Sequence, residues 1–278
     1  MGVPCRVERI GTDGDVRKMI ALIKELDGKV DAFGLGGIGL RFHAGKKLVD
    51  LREARQIVEA AKETPIVDGS GLKDQLGRRA VQHLQRETDV LAGSPRVLVT
   101  SGVDRFGLAE ALNSAGCKMT FADLVFLVGL PITLHSMRSF LLVARLLVPP
   151  LSKLPFAMLY PTGEKQEEHR PKASRLFSKA SIIAGDFLLI NRYMPEDLRG
   201  KVVLTNTTTA DDVELLRQRG VKTLVTTTPV LDGRSFGVNA MEALLVAVSG
   251  KGRQLTESEY DQLLARAGFE PQVLNLSQ

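Results

Sequence analysis

The sequence predicts an α/β fold made of two α/β domains, the second a doubly wound, mostly parallel sheet. Three observations predict it. Short apolar runs alternate with segments of helical period along most of the chain. Strands that alternate with helices in this way make a sheet covered on both faces. A Gly, Ser and Pro cluster at Ala92-Gly93-Ser94-Pro95 divides the alternation, so residues 1–92 read as an N-terminal substrate-side domain. Residues 93–250 then read as the nucleotide-binding domain, and 251–278 as a C-terminal helix packing back on the first.

Taken in order, Val7 to Ile10 reads as a short strand and Val16 to Leu26 as a helix capped by Asp13 or Asp15 and ended by Gly28. Val30 to Phe33 is a second strand. Leu40 to His43 and Lys46 to Val49 flank Ala44-Gly45 as a hairpin. Leu51 to Lys62 is amphipathic, Pro65 to Val67 a short buried strand, and Leu72 to Arg86 a helix. Beyond the boundary come a strand at Arg96 to Thr100, a helix at Phe106 to Ala115 and a strand at Lys118 to Ala122. The apolar runs Leu124 to Leu134 and Phe140 to Leu151 read as a buried strand end and a core helix, or as a lid or dimer face. Further strands are expected at Phe156 to Tyr160, Phe187 to Ile190, Val202 to Thr205 and Thr223 to Thr226. Thr162 to Pro171 is an exposed loop. Helices are expected at Arg175 to Ala180, Asp211 to Arg219, Val238 to Val248 and Glu257 to Ala267.

Composition narrows the function. The chain has 278 residues, 44% hydrophobic and 25% charged, with a net charge of +5. Its basic residues are scattered among acids rather than drawn into a stripe, so no nucleic-acid partner is expected. Cys5 and Cys117 are too few for a disulfide framework or a CxxC metal motif, and the histidines His43, His83, His135 and His169 show no HExxH spacing, so no metal is expected. The apolar runs are shorter than the roughly 20 residues that span a bilayer, so no membrane partner is expected, and a membrane-associated protein stands as a third reading that rests only on Leu124 to Leu151. The start lacks a signal-peptide pattern, which makes the cytoplasm the expected location.

In a sheet of this kind ligands bind beyond the carboxyl ends of the strands, so the informative residues follow each strand. Val97 to Glu110 is a strand, a turn containing Gly102, and a helix start at Gly107. The turn's amides, with Ser101, would hold a pyrophosphate. Asp123 ends the next strand about 20 residues on, where a Rossmann-like domain places its ribose-binding acid, and a carboxylate there favours NAD over NADP. Gly34-Leu35-Gly36-Gly37-Ile38-Gly39 also spaces glycines as G-x-G-x-x-G. A hairpin follows it instead of a helix, so it reads as a close backbone crossing or cleft floor. Val67-Asp68-Gly69-Ser70-Gly71-Leu72-Lys73 sets an acid and a lysine at a strand–helix corner. They are either an acid/base pair in a cleft or a helix cap and a solvated lysine. Asn206 in Thr205-Asn206-Thr207-Thr208-Thr209 sits at another strand end. Arg234 and Asn239 follow Thr226-Thr227-Thr228-Pro229, where Arg234 would grip a carboxylate or phosphate by a forked contact.

Val67-Asp68-Gly69-Ser70-Gly71-Leu72 resembles the N-T-D-G-x-G signature of the shikimate/quinate dehydrogenases. Asp186-Phe187-Leu188-Leu189-Ile190-Asn191 is similar to that family's D-L-I-I-N-A-T strand, and Gly237-Val238-Asn239-Ala240-Met241 to its G-x-x-M-L segment. The order agrees over roughly Pro65 to Gly268. Ile10 to Asp15 and Asp31 to Gly37 resemble a bacterial group labelled quinate 5-dehydrogenase. The resemblance implies an NAD(P)-dependent oxidoreductase acting on a ring hydroxyl of a small carboxylated polyol. It puts Asp68 on the family's catalytic aspartate. The family's N-V-T-x-P-x-K lysine motif and its carboxylate-holding serine pair are absent; Lys46, Lys47 and Lys73 are the candidates to replace the lysine, and no motif supports any of them. Expected site residues are thus Asp68 and Lys73 for catalysis, and Ser101, Gly102, Gly107, Asp123, Asn191 and Asn206 for NAD, with Arg234 and Asn239 for substrate. A homodimer is the assembly considered. The alternative is a regulator on the same scaffold that binds a nucleotide or small anion.

Overall fold

The computed structural model describes residues 4–37, 39–45, 47–154, 169–228, 230–231, 234–235 and 237–277. Helix α1 (Val16–Leu26) starts where Asp15 accepts the amides of Arg17 at 2.8 Å and Lys18 at 3.1 Å, which satisfies two of its orphan donors. Strand β1 (Phe33–Gly34) pairs in parallel with β4 (Ile66–Val67). Between them lie the hairpin β2 (Arg41–Ala44) and β3 (Lys47–Asp50), turning at Gly45 with φ +71, and α2 (Arg52–Val58). The long α3 (Ser70–Glu87) follows β4 directly.

The main sheet has six strands. They are β5 (Arg96–Val99), β6 (Lys118–Phe121), β7 (Ile182–Ala184), β8 (Val202–Thr205), β9 (Thr223–Thr226) and β12 (Gln272–Asn275), in spatial order β12-β9-β8-β7-β5-β6. All neighbours are parallel except β12, which pairs antiparallel with β9. The connecting helices are α4 (Phe106–Ser114), α5 (Met137–Leu151), α6 (Ser174–Lys179), α7 (Phe187–Tyr193) and α8 (Ala210–Gln218). A π-helical turn at Leu124–Val128 precedes α5. After β9 come the small hairpin β10 (Val230–Leu231) and β11 (Arg234–Ser235), then α9 (Val238–Ser249) and α10 (Glu257–Ala267).

The central strands β5, β7, β8 and β9 are buried on both faces, so successive residues enter different cores. Val97, Val99, Ile182, Ala184, Leu204 and Val225 join a core with α3, α4, α5 and the N-terminal elements. Leu98, Ile183, Val203 and Leu224 join the opposite core, with Phe177 of α6, Ile190 of α7 and Leu216 of α8. A third cluster unites Val67, Leu72 and Leu76 with Met241 and Leu245 of α9 and Tyr260 and Leu264 of α10.

Several expectations are corrected. Val7 to Ile10 forms no strand; both ends of that run are about half exposed, and no neighbouring strand pairs with it among the described residues. Phe187 to Ile190 is helical. Gly185, at φ +148, and Asp186 break the apolar run, and Asp186 accepts the Leu188 amide at 3.0 Å as a helix cap, so the strand is Ile182–Ala184. β12 was not foreseen. The expected strand at Phe156 to Tyr160, and the loop from Thr162 as far as residue 168, lie outside the described residues.

Candidate active-site cleft

Order in the sheet reverses at β5, because the chain leaves it first for β6 on one side and later returns to β7 on the other. The loops after β5 and β7 therefore diverge and open a crevice at their carboxyl ends. Gly185 lets these two ends approach closely, since a Cβ there would stand 2.1 Å from the Thr100 hydroxyl oxygen. Lys73, Arg105, Gly185, Thr205, Asn206 and Thr227 face the crevice. The first comes from α3, Thr205 from the end of β8, and the rest from the loops after the sheet strands.

Two ion pairs occupy this crevice. Lys73 Nζ donates to Asp104 Oδ1 at 2.9 Å, with only 15% and 8% of these side chains exposed. Arg105 Nη2 donates to Asp186 Oδ2 at 2.5 Å, and its Nε lies 3.4 Å from Asp104 Oδ2. Two cations and two carboxylates cancel in charge, so the crevice offers donors and acceptors in a nearly neutral setting. Hydroxyls extend it. Thr205 donates to the Gly185 carbonyl at 2.9 Å, Thr228 to the Asn206 carbonyl at 2.9 Å, and Asn206 Oδ1 accepts the Phe187 amide at 3.1 Å.

Asp68 and Lys73 do not meet. Asp68 is buried, and its two oxygens accept the amides of Leu40 at 2.6 Å and Ser70 at 3.0 Å, which ties the segment before β2 to the start of α3. Lys73 instead pairs with Asp104, in the glycine turn. That residue was legible in the sequence as part of the turn, but its partner one helical turn into α3 was not. Arg105 and Asp186 were missed for the same reason: they are 81 positions apart and only the sheet order joins them.

Gly102 and Gly107 are both close-packing positions. A Cβ on Gly102 would lie 2.9 Å from the Phe140 ring of α5, and one on Gly107 would lie 2.5 Å from the Asp74 carbonyl oxygen of α3. The Gly107 amide donates to Asp74 Oδ1 at 2.7 Å, and Asp74 Oδ2 is 2.8 Å from His43 Nε2. His43 stacks on Phe106 at 4.7 Å, and its own amide donates to the Val103 carbonyl, so hairpin and turn are clamped together. Burial alone would raise the Asp74 pKa, but the His43 contact and the Gly107 amide outweigh it and hold the carboxyl below its usual value.

Asp123 Oδ1 accepts the Val103 amide at 2.9 Å. Its Oδ2, near Gly102, completes no hydrogen bond of normal geometry although it is buried. Burial pushes the Asp123 pKa up to about 6, against the pull of the turn amides. The carboxyl borders an apolar cavity of about 50 Å³, walled by Leu124, Leu134, Phe140 and Val143 among others. Ser101 accepts the Asp186 amide at 3.3 Å through its hydroxyl. Asn191 sits on α7 rather than at a strand end, and its carbonyl accepts from His169 at 2.8 Å, so it lies away from the loops that line the crevice.

Asn239 begins α9 among glycines. It donates to the Gly34 carbonyl at 3.4 Å, and Cβ atoms on Gly34, Gly36 and Gly69 would each fall within 3.3 Å of it. The Gly34–Gly36 stretch is thus a backbone crossing under α9. Arg234 lies on β11, and its side chain is outside what is described. Among the described residues no group of three or more His, Cys, Asp or Glu side chains is placed to hold a metal.

Fold and site define a mixed α/β protein with a mostly parallel sheet and a charged, nearly neutral crevice at its strand ends. Residues 71–276 match the domain of unknown function DUF8754, and the chain belongs to that family. Residues 1–68 match a second domain of unknown function, DUF8753. No curated protein matches the chain. Among solved structures it is similar to one from Mycobacterium smegmatis, at 12% identity and a TM-score of 0.35, covering 95% of this chain and 81% of that one. It is also similar to a sugar ABC transport system substrate-binding protein from Bordetella parapertussis, at 13% identity and a TM-score of 0.36, covering 95% and 76%.

Proposed function

We propose that the chain is a nucleotide-dependent oxidoreductase acting on a small carboxylated polyol, with a two-domain, Rossmann-like arrangement around the crevice. The observation that carries this reading is the Lys73–Asp104 pair at the reversal point of the sheet. A lysine ammonium held by a carboxylate in a largely buried crevice is suited to stabilising the alkoxide that develops on a substrate hydroxyl, with the carboxylate beside it to take the proton. Arg105, Asn206 and the threonines around them supply alternating donors and acceptors, which suits a polyhydroxylated substrate. Both Asp68 oxygens already accept amides, so its part in the reading is to fix the corner from which Lys73 projects.

A nicotinamide cofactor would supply the hydride acceptor. Two features speak for a nucleotide beside the Gly102 turn. Asp123 Oδ2 is a buried acceptor with no hydrogen bond of normal geometry, which a ribose hydroxyl would provide, and the wall next to it is apolar, as a base requires. The cavity is smaller than a base, so Phe140 has to swing away from Gly102 to admit one.

The second reading, a regulator that binds a small polar ligand without a nicotinamide, is favoured by one observation. The protein's own Asp74 already occupies the Gly107 amide, where a pyrophosphate would otherwise bind.

The test is turnover of quinate and shikimate with NAD and NADP by wild type, Lys73→Met and Asp104→Asn. The oxidoreductase reading expects wild-type activity, a loss of roughly 100-fold or more in kcat for Lys73→Met, on the scale of a general acid–base contribution, and a shifted pH profile for Asp104→Asn. Absence of turnover, together with tight binding of a polar metabolite in a ligand screen, would move the regulator reading ahead.

A further inference from the structure

The geometry points to α5 as a docking surface for an anionic membrane face. From Leu124 to Lys153 the sequence contains no Asp or Glu, while Arg138, Arg145 and Lys153 lie within it. The structure puts that bias on display. One side of α5 is buried through Phe140, Ala144 and Val148. The opposite side carries Leu142 and Leu146, 60% and 66% exposed, one helical turn apart. Arg138 and Arg145 are exposed beside them, at seven-residue spacing on one flank of the same side. The segment leading into α5 adds exposed Leu130 and Ile132.

An apolar ridge on a helix that carries cations and no acid of its own is what an interfacial helix presents. The leucines enter the headgroup–acyl boundary and the arginines meet lipid phosphates. The same charge pattern disfavours a second copy of this chain on this face. An antiparallel two-fold contact would set arginines against arginines, with no carboxylate in the stretch to pair them. Nor does the proposal need a span: no described helix is long and apolar enough to cross a membrane. The inference stands independently of the oxidoreductase reading, since Leu142 and Leu146 point away from the crevice and from the Asp123 cavity.

Flotation of the full chain with vesicles tests it. Vesicles of phosphatidylcholine alone are compared with vesicles of phosphatidylcholine and phosphatidylglycerol, at low and high salt. Wild type is expected to float with the anionic vesicles at low salt, and less so as salt rises. The pair Leu142→Ser and Leu146→Ser, and separately Arg138→Gln and Arg145→Gln, should each reduce the bound fraction at least tenfold. Both pairs are at exposed positions, and a circular dichroism spectrum equal to wild type certifies that they fold. Failure of wild type to float at low salt overturns the proposal. So does binding that neither pair of substitutions weakens. A concentration-dependent dimer that Leu142→Ser and Leu146→Ser dissociates would also overturn it, because the face would then belong to a second copy.

Discussion

At the scale of single residues, the most informative group is Asp123, a carboxyl that reads in the sequence as a ligand-binding acid and lies buried with one oxygen that completes no hydrogen bond of normal geometry. Its pKa is raised from 3.8 to about 6 by burial, so the folded state holds a proton that the unfolded chain releases. The stability it contributes is present below pH 4, declines as pH rises toward 6, and is absent above that. Two pKa units correspond to about 3 kcal/mol at most. Asp123→Asn keeps an acceptor for the Val103 amide and cannot ionise. Its urea-unfolding free energy should therefore be higher than that of wild type at pH 7.5, and the difference should shrink as pH falls to 4. Equal pH dependence in the two proteins would contradict this account. Glu242 has the same sign. It is buried between Tyr260, which donates to it at 2.5 Å, and Gln254 at 3.0 Å, and burial raises its pKa.

At the scale of elements, helix crossings explain which glycines are needed. Gly77 of α3 and Gly107 of α4 meet where the two helices cross, and a Cβ on Gly77 would lie 2.8 Å from the Leu108 amide nitrogen. Gly107→Ala would push against backbone rather than a movable side chain, so a loss of about 1–3 kcal/mol is expected in urea unfolding. A loss below about 0.5 kcal/mol would show that the helices can part cheaply. Helix α1, the hairpin, α4 and α8 to α10 were legible because each is marked by a cap, a glycine turn or a helical period. The strand expected at Phe187 to Ile190 was not, because an apolar run of that length fits a buried helix as well as a buried strand. Only the Gly185-Asp186 break, with the cap it creates, decides between them. Asp68 was legible as a corner residue, but its bond to the Leu40 amide, which joins the segment before β2 to the start of α3, was not. The partner of Lys73 was illegible because the contact spans 31 positions and depends on how α3 lies over the turn after β5.

At the scale of the whole molecule, the N-terminal elements are continuous with one face of the sheet. Ile23, Leu35, Phe42, Leu51 and Ile57 share a core with Val97, Val99, Leu112 and Phe121. A core shared in this way unfolds together, so scanning calorimetry should record one transition in which the N-terminal segment and the sheet melt as a unit. Two separated transitions would mean that the shared core contributes little. The arrangement also explains the location of the crevice, since α3 arrives from the N-terminal side and supplies Lys73 while the sheet supplies Asp104, Arg105 and Asp186. The most direct test of this assembly as a nucleotide site is calorimetric titration of NAD and NADP into wild type and Asp123→Ala. The account predicts that NAD binds more tightly than NADP and that Asp123→Ala loses most of that preference. If neither cofactor binds at millimolar concentration, or if the variant binds NAD as wild type does, the nucleotide reading of the Gly102 turn is contradicted.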